Sequence, residues 1–333
     1  MVSQKEMNFY RMKPFKTDIA VALIFFNRPE PLKKVFAAVA EARPSRLYLI
    51  QDGARENRPS DRENIEACRE VIKNIDWECD VIKDYSDINL GCGKRIFTGL
   101  SNVFAKEKYA AIVEDDIVIG ESFLPFCKEM CERYKDDQRI HMISGMNQIG
   151  IYEASPYSYF FSKGGGAIWG WATWARCWNE LQWTLDVASD DYVMDCLRSS
   201  DTATNVYKSL AANAIQKRAE ILEGKDPSFW SFHFGVYGYI SNRINIVPKY
   251  NLISNIGLTG DSVHAADSMK KLVRRMRKIF FAPIYNMPKE LIHPKYVVDD
   301  QMYKRLQDKV MAGTKFQHFT EFFERIYIKL FVR

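Results

Sequence analysis

Ala110-Ala-Ile-Val-Glu-Asp-Asp-Ile-Val-Ile-Gly120 is the stretch on which the fold turns. An apolar run of strand type, residues 110–113, stops abruptly at Glu114, Asp115 and Asp116, and apolar residues resume at once with Ile117. Three adjacent acids at the end of a buried strand repel one another and are costly to desolvate. A solvated turn accommodates them. So does a site shared with a cation or cationic neighbours, since carboxylates suit hard ions such as Mg²⁺ and Mn²⁺, which usually hold substrate phosphates as well.

The chain before this stretch repeats a simple alternation. Residues 18–26 form a continuous apolar run, the pattern of a strand covered on both faces. Pro29 suits the first turn of a helix, and residues 30–41 carry apolar positions at Leu32, Val35, Phe36 and Val39. A second strand at 46–50 runs into Gln51-Asp52-Gly53, a polar helix spans 61–74, and a short strand covers 79–83. After Asn89-Leu90-Gly91-Cys92-Gly93 a helix over 94–106 leads into the acidic strand. Such alternation predicts an α/β fold with a mostly parallel sheet flanked by helices. Ligands of such sheets bind beyond the carboxyl ends of the strands. Asn27 and Arg28, then Asp52, then Glu114 to Asp116 all fall at those ends, which makes a polar rim on one edge.

Beyond Gly120 the pattern predicts a helix at 121–135, strands at 140–144 and 158–161, and a helix over 201–223. Short strands surround Pro248. Ser162-Lys163-Gly164-Gly165-Gly166 is followed by four tryptophans, Trp169, Trp171, Trp174 and Trp178. Flat aromatic faces fill cores and also stack on sugar rings; Trp169 and Trp171, flanking Gly170, are the candidates for a sugar wall.

Of the 333 residues, 47% are hydrophobic and 14% aromatic, ample for a core and incompatible with general disorder. The net charge of +5 is uneven: residues 268–333 hold 15 Lys/Arg against 6 Asp/Glu. Two basic amphipathic segments there, 269–281 and 319–333, suit an anionic membrane surface or a solvated helix face; nucleic acid is not the expected partner. Seven cysteines at irregular spacing resemble no disulfide framework, and no Cys/His zinc spacing occurs. The polar N-terminus lacks the apolar core of a signal peptide, and no run approaches the length of a bilayer span, so a cytoplasmic chain, in places peripheral on the inner face of the membrane, is expected. The domain expectation is a body over 1–265, with a nucleotide-binding half at 17–120 and an acceptor half at 121–265, followed by a basic helical region at 266–333.

Phe26-Asn27-Arg28, Gln51-Asp52-Gly53 and Val113-Glu114-Asp115-Asp116, with Trp169-Gly170-Trp171-Ala172-Thr173-Trp174 and Asn251-Leu-Ile-Ser-Asn-Ile-Gly257, resemble the GT-A nucleotide-sugar transferases. The closest kin in pattern are the N-acetylglucosaminyltransferase I superfamily and bacterial family-2-like, HlpA-like glycosyltransferases. The resemblance covers residues 19–264 and rests on the order and spacing of the motifs together.

It implies a metal-dependent inverting glycosyltransferase using Mn²⁺ or Mg²⁺, with a nucleotide sugar, UDP-linked by preference, as donor and a glycan or lipid-linked glycan as acceptor. By this resemblance Asp116 contacts the metal, joined by His264. Asp115 faces the ribose or donor sugar, and Glu114 supports the site. Arg28 and Asp52 contact the uracil or ribose, while Lys94 and Arg95 help neutralise the diphosphate. One position departs. Relatives carry a Trp-Asp pair whose aspartate deprotonates the acceptor hydroxyl; here Trp230-Ser231 stands in its place, and Asp226 or His233 becomes the candidate base. A sugar-nucleotide nucleotidyltransferase is the alternative, though Asn27-Arg28-Pro29-Glu30 replaces the Gly-rich basic signature such enzymes carry after their first strand. A catalytically impaired glycan- or nucleotide-binding protein is a second alternative, motivated by Ser231.

Overall fold

The computed structural model describes residues 12–199, 206–225, 230–258, 272–311 and 315–331. Its first half runs β1 (Thr17–Phe25), α1 (Pro29–Ala42), β2 (Pro44–Gln51), α2 (Ser60–Val71), β3 (Asp80–Tyr85), α3 (Cys92–Phe104) and β4 (Tyr109–Glu114). The second half runs β5 (Ile117–Ile119), α4 (Phe123–Arg133), β6 (Ile140–Ser144), β7 (Tyr159–Ser162), β8 (Trp171–Trp174), α5 (Ala175–Trp178), α6 (Asp191–Ser199), α7 (Val206–Leu222), α8 (Ser231–Ile240), β9 (Ile244–Pro248) and β10 (Ile253–Asn255). The C-terminal region adds α9 (Arg274–Arg277), α10 (Gln301–Met311) and α11 (Lys315–Phe331).

The chain folds as an α/β structure around a large, mostly parallel sheet. Eight strands lie in the order β3-β2-β1-β4-β8-β6-β9-β7. The first four are parallel, β8 is antiparallel to both neighbours, β6 and β9 are parallel, and β7 closes the edge antiparallel. The long apolar run of β1 sits at the centre of the parallel half, with every residue but Asp18 buried. α1 buries Leu32, Val35, Phe36 and Val39, the stripe expected from the sequence. The expected division at residue 120 falls inside one continuous sheet.

β8 was not expected as a strand. Its residues Trp171 and Trp174 are buried and, with Trp178, Trp230 and Phe234, build the packing between sheet, α5 and α8. Trp171 stacks on Trp230 at 5.6 Å and 17°, while the Trp174 and Trp178 indoles donate to Cys131 O and Ser101 Oγ.

The basic C-terminal region is only partly helical. Of segment 269–281, residues 269–271 lie outside the described residues, and the rest holds the single turn of α9 and then irregular chain. That chain runs back along the body: Tyr285 N–H donates to Asn251 O at 2.9 Å, Ile292 N–H to Ser158 Oγ at 2.8 Å, and Asp300 N–H to Phe161 O at 2.9 Å. Tyr303 of α10 is fully buried. Residues in 279–303 are thus tied to the body by these bonds and by the buried Tyr303.

Candidate functional site

Four parallel strands bring their carboxyl ends to one edge, and chemistry gathers there. β1 ends at Phe25, so Arg28 follows at the start of α1; β4 ends in Glu114, in register with Ile24 of β1. The Arg28 guanidinium therefore reaches the acids: Nη2 donates to Asp115 Oδ1 and, at 3.1 Å, to Asp116 Oδ2, while Nε donates to Asp115 Oδ2 at 3.4 Å. The Phe26 N–H also faces Asp115 Oδ2 at 3.4 Å. Asp115 is 5% exposed at its side chain and Asp116 18%, so Asp116 is the more reachable of the pair.

One guanidinium does not balance three carboxylates. Burial, then the charges of Asp116 and Asp115, push the Glu114 carboxyl up to about 8. Burial raises Asp115 to about 6, with Arg28 pulling against it and Asp116 adding to it. Burial disfavours the Arg28 charge, but Asp115 and Asp116 outweigh it and hold the guanidinium above its ordinary value. The cluster is short of positive charge. The Glu114 side chain has no hydrogen-bond or ion-pair partner among the described residues.

A small antiparallel ribbon supports Asp116 from the other side. β5 pairs with β10, Ile117 opposite Asn255. The Ile256 N–H donates to Asp116 O at 2.8 Å, and the Gly257 N–H to Asn255 Oδ1 at 2.8 Å. A Cβ at Gly257 would run into Asp116 Oδ2. Asn255 and Gly257 were legible as a motif in the sequence but not as neighbours of the acids, because nothing local reveals the β5–β10 pairing.

Asp52 does not face open space. It accepts from the Leu90 N–H at 2.9 Å, the Gly53 N–H at 3.0 Å and Asn89 Nδ2 at 3.1 Å, bracing the loop before α3; burial nevertheless keeps its carboxyl above the usual range. The two loops touch so closely that a Cβ on Gly53 would lie 2.5 Å from the Ile88 carbonyl carbon. This brace holds the first turn of α3 beside the acids. The Cys92 thiol records the proximity, pushed up to about 12 by desolvation and then by Glu114, Asp115 and Asp52.

Several expected site residues lie elsewhere. Arg95 is buried and spent on Gln51 O, Asp84 O and, at 2.7 Å, Asp84 Oδ1, so it ties β2 to β3 and does not face a ligand. Lys94, one position earlier, is exposed at the first turn of α3. Trp171 and Trp230 are core residues with no free face. Trp169 is half-buried against Phe280, 5.2 Å away. Gly170, at φ +58°, lies where a Cβ would be 2.8 Å from Ile253 Cγ2 and 3.1 Å from Ile117 Cγ2, so it packs on the β5–β10 ribbon that follows the acids. Ser231 opens α8 and lines a different cavity. His233 is buried, stacked on Trp183 and bonded through Nε2 to Trp183 O at 2.8 Å, which removes it as a base. Asp226 and His264 lie outside the described residues.

Among the described residues no group of three His, Cys, Asp or Glu side chains is arranged to hold a metal ion. The donor chemistry still suits Mg²⁺ or Mn²⁺, which are commonly held by one or two carboxylates together with substrate phosphates. Asp116 is more exposed than Asp115, and the excess negative charge around Glu114 is what a cation relieves.

No protein-family model matches the chain, and no curated protein matches it in sequence. Among solved structures, a UDP-glucose pyrophosphorylase complexed with UDP-glucose aligns at 12% identity and TM-score 0.28, over 67% of this chain and 97% of that one. The apo form of a UDP-glucose pyrophosphorylase aligns at 9% identity and TM-score 0.33, over 71% and 93%. At these scores the likeness is too distant to carry function.

Proposed function

We propose that this chain is a metal-dependent inverting glycosyltransferase. It binds a nucleotide sugar, UDP-linked by preference, at the carboxyl edge of the parallel strands and passes the sugar to a glycan or lipid-linked glycan of a surface polysaccharide. The observation that carries this reading is the charge arrangement at the end of β4. An under-neutralised acid cluster, in which Asp116 is more exposed than Asp115, lies near the first turn of α3. A diphosphate between them meets helix-terminal N–H groups and the exposed Lys94 on one side. On the other side Asp116, joined by His264, would hold the Mn²⁺ or Mg²⁺, which when bound neutralises the leaving diphosphate.

The chain's own residues then have distinct tasks. Arg28 holds Asp115 and Asp116 in place through its guanidinium; Asp52 sets the loop that presents α3. Trp169 and Gly170 border the donor sugar from the Ile117 side. In the transfer, the bond from the sugar's anomeric carbon to the diphosphate oxygen breaks as the acceptor oxygen bonds to that carbon. The acceptor's proton passes to a base, for which Asp226 is proposed from its place five residues before Ser231. The membrane part of the reading uses α11, whose Phe322, Phe323 and Ile326 are 59%, 54% and 42% exposed. No helix among the described residues is long and apolar enough to cross a membrane.

The test is donor turnover with Mn²⁺ in wild type and Asp116→Asn. Release of free nucleoside diphosphate, lost by at least about tenfold in the variant, supports the reading; about tenfold corresponds to about 1.4 kcal/mol of lost stabilisation. Release of pyrophosphate from a sugar phosphate and a nucleoside triphosphate would instead identify a nucleotidyltransferase.

A further inference from the structure

A cleft of about 740 Å³ lies between the end of α4, the loop before β6 and the connector at 294–298. β4 and β6 both run antiparallel to β8, so they point the same way. The acid cluster follows the end of β4, whereas Asp137 and Arg139 precede the start of β6, which places the cleft at the opposite edge of the sheet. Its walls are fixed. The Ile292 N–H donates to Ser158 Oγ and the Asp300 N–H to Phe161 O, pinning the connector at both ends. The Arg243 guanidinium, donating to Gln138 O at 3.1 Å, and the Ile244 N–H, donating to Arg139 O at 2.8 Å, hold the loop.

Charge defines what this cleft can take. Arg133, Arg139 and Lys295 line it against a single carboxylate, Asp137. Arg139 and Asp137 satisfy each other, Nε donating to Oδ1 at 2.9 Å and Nη2 to Oδ2 at 2.7 Å. The Arg133 and Lys295 side chains have no hydrogen-bond or ion-pair partner among the described residues. Glu129, one turn before Arg133 on α4, reaches instead to His293 Nε2 at 3.1 Å. The Lys295 ammonium lies 5.3 Å from the centroid of the Tyr296 ring. Two cationic groups thus stay uncompensated at one cleft. Beside them Tyr296 and Val298, 68% and 67% exposed, give one wall an apolar surface. A pocket of several hundred Å³ with apolar walls and a few convergent charged groups is the usual form of a small-molecule site. Two cations select an anion, and a guanidinium fork matches the geometry of phosphate.

We propose that this cleft binds an organic phosphate. The phosphate group sits between Arg133 and Lys295, and the ring that carries it lies against Tyr296 and Val298. Such a site is independent of the transferase reading, because the cleft and the acid cluster occupy opposite edges of the sheet. An anionic lipid headgroup offers the same phosphate, and vesicles separate the two sources.

Arg133, Lys295 and Tyr296 are all exposed, so replacing them should leave the fold intact. The probes are phenyl phosphate and AMP, with inorganic phosphate as the reference that lacks a ring. They are titrated into the full chain at about 0.15 M salt, where diffuse attraction between exposed charges is screened. At least one ring-bearing probe should bind wild type and bind about tenfold more weakly, about 1.4 kcal/mol, to the double variant Arg133→Ala, Lys295→Ala. Tyr296→Ala should weaken the same probe but not inorganic phosphate. The unfolding midpoint and the affinity for UDP-glucose should hold in both variants. Binding by neither probe, equal binding to either variant, or displacement of the probe by UDP-glucose overturns the proposal. Vesicles of phosphatidylglycerol in phosphatidylcholine form the lipid arm. Equal vesicle binding by wild type and the double variant supports a soluble ligand, whereas its loss in the double variant overturns the proposal in favour of a headgroup site.

Discussion

Glu114, Asp115 and Asp116 differ more in surroundings than in chemistry, and the difference is measurable. An acid that titrates higher folded than unfolded stabilises the fold below its unfolded pKa and loses that contribution as the pH rises toward the folded value. For Glu114 the window runs from the ordinary 4.5 to about 8. Glu114→Gln should therefore be more stable than wild type at pH 8.5 in divalent-free buffer, by about 1 kcal/mol or more, since one pKa unit is worth about 1.4 kcal/mol. At pH 4 the two should coincide. Urea unfolding at both pH values checks this, and equal stability at pH 8.5 would mean that the cluster is already neutralised. Arg95 makes the opposite case. It stands in a motif suited to phosphate, yet its bonds run to Asp84 and Gln51. Arg95→Met should cost about 3 kcal/mol of stability, the usual loss when one member of a buried ion pair is removed, read as a fall in melting temperature. A lysine at the exposed neighbouring position would not show it.

Among the elements, β5 and β10 matter beyond their size of three residues each. Their pairing turns Asn255–Gly257 toward Asp116 and leaves room there only for a glycine. Gly257→Ala should swing the Asp116 carboxylate aside and weaken Mn²⁺-dependent nucleotide binding about tenfold or more, about 1.4 kcal/mol. The unfolding midpoint should change little, because the added methyl meets a side-chain terminus and not the backbone. Titration calorimetry with and without Mn²⁺ separates the two effects; unchanged affinity would argue that Asp116 is not the metal carboxylate. β8 teaches a related lesson. Its tryptophans carried two meanings in sequence, core and sugar wall, and the pairing with β4 and β6 assigns Trp171 and Trp174 to the core.

At the scale of the molecule the basic C-terminal region divides in two. Residues 279–303 are tied to the sheet by main-chain bonds and by Tyr303, whereas α11 keeps aromatic and aliphatic side chains outside. Glu324 joins it to Arg277 at 2.8 Å. Deleting 312–333 should leave the melting temperature nearly unchanged but remove binding to vesicles containing anionic lipid, measured by co-sedimentation at low salt, where such attraction is strongest. Binding that persists in the deletion would move the membrane contact elsewhere. A fall in melting temperature of several degrees would instead make α11 part of the folded body.

Residues 17–114 were readable in advance because each element there states itself locally. The run of β1, the stripe of α1 and the acids ending β4 are periodic or compositional signals that neighbours do not override. The polar rim at the carboxyl edge followed from alternation alone, since parallel strands must end on one side. What the sequence could not determine is which polar groups are already satisfied. Arg28 and Arg95 are both arginines beside carboxylates, but only the fold spends Arg95 on Asp84 and turns Arg28 onto the acid pair. The neighbours of Asp116 are tertiary facts for the same reason. They come from chain segments far apart in sequence that meet at the strand ends, and no local pattern records such a meeting.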